Sequence, residues 1–157
     1  MLCLGGSSAR DFSGVYNEKG QAIAAKNNFM DCGEGRDVCS LRLPGSQLEL
    51  LRLLKKAGKP VISLLIQGRT YLIDEVMALS DAVIIVWYPG QEGPRAVADT
   101  LFGKLNCFGR LPVSVPNSSS ALPVCYNRRP MPNGYIDLNS LSDYPFGSGV
   151  NYSKVKY

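Results

Sequence analysis

Between Asp81 and Pro94 a short apolar run, Ala82-Val83-Ile84-Ile85-Val86-Trp87, stops abruptly in the glycine- and proline-marked turn Tyr88-Pro89-Gly90-Gln91-Glu92-Gly93. Val83 to Trp87 is continuous, β-branched and aromatic rather than alternating. That pattern predicts a strand covered on both faces, as in a parallel sheet. Pro94 suits a first helical position, because its fixed φ is already helical. Val97 with Leu101 and Ala98 with Phe102 then fall one turn apart, and Gly103 can close the end. Strand, loop and helix in that order form the unit of an α/β fold. Ligands of parallel sheets are met at the carboxyl ends of the strands, so Tyr88 to Gly93 is the first place to look for a site.

A second such unit precedes it. Ser46-Gln47-Leu48-Glu49 reads as a capping box, with Ser46 accepting from the Glu49 amide and Glu49 reaching back to Ser46. Leu48, Leu51 and Leu54 recur at helical spacing, Leu50 and Leu53 widen the apolar face, and Lys55-Lys56 sit where the helix dipole favours positive charge. Gly58 and Pro60 end this helix. Val61 to Ile66 repeats the continuous apolar strand pattern, Gln67-Gly68-Arg69 turns out of it, and a weak helix from about Tyr71 to Leu79 leads back to the run at Val83. The alternation predicts an α/β fold with a mostly parallel sheet flanked by helices.

Met1-Leu2-Cys3-Leu4 starts as a strand with no lead-in, so the chain is expected to be a piece of a longer protein that lacks the first strands of its sheet. From Ser7 to about Leu43 there is little periodicity apart from the 21–26 run, and loops of this length in compact domains are usually either functional or disordered. Charges cluster in Asp31-Cys32-Gly33-Glu34-Gly35-Arg36-Asp37. Glycine on both sides lets the backbone present Glu34 from a tight turn. These residues by themselves read more readily as a surface turn carrying a solvated acid.

Composition removes several classes of function. The 157 residues suffice for one domain that buries about two-thirds of its unfolded surface. An apolar content of 45% with 19% charged residues is that of a globular chain. No run approaches the roughly 20 apolar residues of a membrane helix. The +4 net charge lacks a basic stripe with stacking aromatics, which argues against nucleic acid as a partner. No secretory signal is visible, and the compartment, cytoplasmic or periplasmic, stays open. The absence of histidine excludes a Ser-His-Asp or Cys-His nucleophile, and the five cysteines, with no CxxC pair, do not make a zinc site. They are expected to be reduced and mostly buried. No metal and no cofactor is called for, and the absence of GxGxxG and GxxxxGK[ST] argues against a phosphate-binding module.

After Gly103 the character changes. Leu111-Pro112-Val113-Ser114-Val115-Pro116 alternates like an edge strand bracketed by prolines. Beyond it, serine, proline, glycine and tyrosine dominate. The expected division is an α/β-sandwich domain over 1–116 and an irregular extension over 117–157 packed on the same domain, its tyrosines anchoring the segment or lining a sugar or partner surface.

Several of these stretches together resemble one family. Trp87-Tyr88-Pro89-Gly90-Gln91-Glu92-Gly93, Ala98-Asp99-Thr100-Leu101-Phe102-Gly103 and Gly109-Arg110-Leu111-Pro112-Val113-Ser114-Val115-Pro116 are similar to the second, α/β-sandwich domain of glycoside hydrolase family 3, the β-glucosidases and β-xylosidases. Leu43-Pro44-Gly45-Ser46-Gln47, Gly58-Lys59-Pro60-Val61 and Tyr144-Pro145-Phe146-Gly147-Ser148-Gly149 follow in the same order as in that family. The resemblance implies a retaining glycosidase acting on a carbohydrate, a β-glucoside or β-xyloside, with one carboxylate as nucleophile and another as acid and then base. It implies Glu34 as the acid/base, on a GEG-type loop, with Asp31, Arg36 and Asp37 as neighbours of the site. It places the nucleophile, an aspartate, on a preceding TIM-barrel domain of the same parent protein, so the chain alone is expected to be inactive. The family commonly reads Gly-Glu-Gly-Phe-Asp-Arg; here Arg36 stands at the aromatic position and Val38 at the arginine. The competing expectation is a non-catalytic domain that binds sugar or stabilises a barrel, with Glu34 a bystander.

Overall fold

The computed structural model describes residues 1–8, 16–21, 30–33, 37–107, 109–127, 129, 136–138 and 141–153. Among these, three strands, β1 (Leu2–Gly5), β2 (Ile62–Ile66) and β3 (Ala82–Ile85), form one parallel sheet in the order β1-β2-β3. Three helices, α1 (Gln47–Lys55), α2 (Asp74–Leu79) and α3 (Gly93–Leu101), alternate with them. This is the α/β architecture that the apolar runs predict, with every pairing parallel.

The register puts Leu2, Ser63 and Val83 in one row and Leu4, Leu65 and Ile85 in another on the same face. That face packs on Leu51 of α1 and Val76 of α2 in a single apolar core with Leu43, Val61, Tyr71, Ile73 and Val115. Ser63, the polar member of the face, is fully buried and shares a 2.7 Å hydrogen bond between its hydroxyl and that of Ser80. The central strand β2 is buried at Ser63, Leu64 and Leu65, which accounts for its continuous apolar sequence. The strand β3 departs from expectation. It lies at the edge of the described sheet, so Ala82 is exposed and Val83 to Ile85 are half-buried.

Local signals are met in part. The helix α1 starts after Ser46, but the Ser46 side chain makes no capping bond. Its neighbour Gln47 uses its amide instead, accepting from the Gly5 amide at 2.7 Å and donating to the Gly5 carbonyl at 2.8 Å and the Pro44 carbonyl at 2.9 Å. A glutamine that reaches the end of β1 ties helix to sheet, which a local cap cannot do. The guanidinium of Arg52 clasps Glu75 at 2.5 and 2.8 Å and joins α1 to α2. The Asp81 carboxylate accepts from the Val61 amide at 2.8 Å and from Lys55 at 3.1 Å, and these two donors hold its carboxyl below the usual range. The helix α2 begins at Asp74 rather than Tyr71, because Tyr71 is a buried core residue in the connection before it.

The 111–116 segment does not form an edge strand. Pro112 and Pro116 have no amide to donate, and the segment makes an isolated antiparallel bridge, Val115 to Tyr144, with Leu111 exchanging bonds of 2.9 Å with Gly147 and Ser148. Val115 is buried in the core and Tyr144 packs against it. Of the cysteines, all free, only Cys32 is buried, while Cys3, Cys39 and Cys125 are exposed and Cys107 is half-buried, so the expectation of mostly buried thiols fails. Among the described residues, no helix is long and apolar enough to cross a membrane.

Candidate functional site

The carboxyl ends of the three strands bring Gly5-Gly6-Ser7, Gln67-Gly68 and Trp87-Tyr88 side by side. At the end of β3, Trp87 has φ 58°, a left-handed conformation that a residue with a bulky side chain adopts only when its surroundings enforce it. The Trp87 carbonyl accepts from the Gln67 amide at 3.3 Å, which binds this bend to β2. The bend delivers Tyr88 onto Gly68, where a Cβ would stand 2.6 Å from the tyrosine ring and 2.5 Å from the Cys32 sulfur. Glycine is required there by space, not by backbone conformation.

Into this end of the sheet comes the segment 30–33. The Asp31 amide donates to the Ser7 carbonyl at 3.0 Å, and the Ser7 amide donates to Asp31 Oδ1 at 2.9 Å. The Tyr71 hydroxyl donates to Asp31 Oδ2. A side chain on Gly6 would collide with this same hydroxyl and carboxylate. The Cys32 sulfur lies 2.7 Å from the Tyr88 hydroxyl, and the Cys32 amide points to the Ser7 carbonyl at 3.4 Å. Burial above all, with the Asp31 hydrogen bond next, pushes the Tyr71 phenol far above its ordinary value, so it stays protonated and donating. Burial and the Cys32 contact also push the Tyr88 phenol up.

The sequence-derived site residues therefore divide. Asp31 is fixed at the carboxyl end of the sheet. Asp37 is exposed and meets Arg69 Nη1 at 3.4 Å, in the connection after β2. Glu34 and Arg36 lie outside the described residues. The contacts on either side of them, Asp31 to Tyr71 and Asp37 to Arg69, both lead to the chain between β2 and α2. Sequence reasoning flagged the Tyr88 loop but not Tyr71, Ser7 or Cys32. The available signal for Tyr71 is its place just after a Gly-Arg turn at the end of a parallel strand. Gln67, directly after β2, is buried, and its amide oxygen and nitrogen have no partner among the described residues.

Another cleft lies elsewhere among the described residues. A space of about 460 Å³ runs along β3 between Met77, Ile85 and Trp87 on one side and Leu111, Tyr144 and Tyr152 on the other. Arg110 is the one charged residue in its lining, and no carboxylate reaches it. Its ionisable lining groups are otherwise Cys107, Tyr144 and Tyr152, with no carboxylate pair of the kind a glycosidase uses. Among the described residues, no group of three cysteines or carboxylates is placed to hold a metal ion.

Comparison with known proteins agrees with this fold. Residues 11–152 match the model of the glycosyl hydrolase family 3 C-terminal domain. A beta-xylosidase of Formosa agariphila is 34% identical over 150 residues, covering 92% of this chain and 21% of that protein. The periplasmic beta-glucosidase of Salmonella typhimurium is 36% identical over 132 residues, covering 76% of this chain and 17% of the relative. The beta-glucosidase of Listeria innocua, solved in complex with glucose, superposes with a TM-score of 0.73 at 35% identity, over 78% of this chain and 19% of its own. A beta-glucosidase from Erythrobacter marinus gives a TM-score of 0.76 at 29% identity over 98% of this chain. The chain thus spans about a fifth of the length of these relatives.

Proposed function

The chain belongs to glycosyl hydrolase family 3, as a C-terminal domain of that family, and from that premise we propose that it supplies the acid/base half of a retaining β-glycosidase. The observation that carries this reading is the fixing of Asp31 and Cys32 at the carboxyl end of the parallel sheet, three and two residues before Glu34. Parallel sheets present chemistry at that end. The relatives are named β-glucosidases and β-xylosidases, which supports a terminal β-linked glucose or xylose as the group transferred.

In the proposed reaction, a carboxylate from a barrel domain of the parent protein attacks the anomeric carbon. The glycosidic C–O bond breaks, and Glu34 gives its proton to the departing oxygen. Water then attacks the glycosyl-enzyme, losing a proton to Glu34, and the carboxylate nucleophile leaves. The acid must be neutral while the nucleophile is ionised, so the two groups need different surroundings. Two domains meeting at a cleft provide them. This chain has one of the two carboxylates, so by itself it cannot complete the double displacement.

The test is hydrolysis of p-nitrophenyl β-glucoside and β-xyloside by the chain alone, and by the chain mixed with a barrel domain of the family. Silence alone and turnover on mixing are expected. With Glu34→Ala the mixed activity falls by about 100-fold or more, the usual worth of a general acid, and azide restores turnover of the activated substrate. Near-normal turnover by Glu34→Ala sinks the proposal in favour of a domain that only binds sugar or braces the barrel.

A further inference from the structure

We infer that Tyr71 and Tyr88 are positioning residues for the acid/base turn, pinning residues 31 and 32 to the connections that leave β2 and β3. The inference rests on the proposed role of Glu34 and goes beyond it, because it assigns a role to two residues other than the acid/base itself.

Five side chains or backbone groups carry it. Ser7, from the connection after β1, exchanges two hydrogen bonds with Asp31 at 3.0 and 2.9 Å. Tyr71, after β2, donates its hydroxyl to the other oxygen of the same carboxylate. Tyr88, after β3, meets the sulfur of Cys32 at 2.7 Å. The two residues are thus held from all three strand ends at once, which over-determines their position. Space has been cleared for both pins, since Gly6 and Gly68 are the points where a Cβ would strike the Tyr71–Asp31 pair and the Cys32–Tyr88 pair. The strained φ of Trp87 is the backbone counterpart, because it turns the chain at the residue just before Tyr88.

Glu34 follows Cys32 by two residues and consecutive Cα atoms are about 3.8 Å apart, so in this proposal what fixes residue 32 bears on residue 34. A general acid must lie within hydrogen-bond reach of the oxygen it protonates, and a misplacement of about 1 Å can cost on the order of 100-fold in rate. Pinning the turn is therefore a lever on proton transfer. It has little bearing on the nucleophile's attack, which comes from the other domain in the proposed reaction.

That asymmetry gives the test. In the full-length enzyme that carries this domain, kcat/KM is measured on an alkyl β-glucoside, whose leaving group needs a proton, and on 2,4-dinitrophenyl β-glucoside, whose leaving group does not. The ratio of the two values cancels the fraction of folded enzyme. In Tyr71→Phe, Asp31→Asn and Tyr88→Phe the ratio is expected to fall by about tenfold or more, through loss on the alkyl glucoside alone. Tyr88 is partly exposed, so its variant tolerates the change even if a buried one fails to fold. Equal loss on both substrates, leaving the ratio at its wild-type value, overturns the inference. The Glu34→Ala variant separates the two readings. If it lowers the ratio while the pin variants do not, the acid/base assignment stands and the pins fall; if it leaves the ratio unchanged, both fall.

Discussion

Tyr71 shows how one buried phenol can serve the core and the site together. Its ring belongs to the apolar cluster under the sheet, while its hydroxyl reaches the polar end and finds Asp31. A buried hydroxyl without such a partner would cost about 1–3 kcal/mol, so the carboxylate stabilises the fold as much as the tyrosine steadies the carboxylate. The linkage has a definite sign. In the unfolded chain the phenol ionises around its ordinary value of 10.0, whereas in the folded state it holds its proton well beyond that. Its contribution is complete below pH 10 and is lost as pH rises above it, where only the unfolded form releases a proton. Alkaline denaturation followed by phenolate absorbance should therefore begin above about pH 10. In Tyr71→Phe the slope of stability against pH in that range should be shallower. An identical slope would show that Tyr71 titrates alike folded and unfolded.

At the scale of elements, the helix α1 illustrates what sequence can and cannot tell. Its apolar face was legible in part: Leu51 is wholly buried and Leu48 packs against the core, whereas Leu54, like Leu50 and Leu53, is exposed. Its cap was misread. Ser46 and Glu49 have the right spacing for a capping box, but the partner that wins is Gln47, whose amide matches both hydrogen-bonding groups of Gly5. Gly5 is 42 residues away, and no local pattern encodes such a partner. Leu51→Ala should cost about 2–5 kcal/mol, because the closed core between α1 and α2 leaves little room for collapse. Urea denaturation measures it; a loss below about 1 kcal/mol would mean that the helix relaxes into the space. Likewise β3 read as a strand covered on both faces because its apolar run is as continuous as that of β2. A continuous run shows what the strand tolerates on each side, and not which neighbours are present to cover it.

For the whole molecule, the parallel α/β plan followed from two strand-loop-helix units in succession, and family membership from motifs standing in a fixed order. The candidate site was less legible. Asp31 stands in the charged stretch 31–37 as a neighbour of the site that the resemblance implies, and the Tyr88 loop stands out for its place after a strand, yet their meeting depends on contacts across 40 and 56 residues of chain. The glycines were the nearest thing to a signal, since Gly6 and Gly68 each follow a strand, but a glycine does not announce which side chain needs its empty space. The expected edge strand at 111–116 yielded to a single bridge at Val115, because the prolines that mark its ends also remove its donors. The Ser7 carbonyl, which receives the amides of both Asp31 and Cys32, gives this clustering a consequence in time. Those two amides are in a loop by every local criterion, yet releasing them requires breaking links to three strand ends. In hydrogen–deuterium exchange they should open with the sheet, at rates within about tenfold of β2 amides. Exchange at the rate of an ordinary surface loop would mean that the turn breathes free of the strands that hold it.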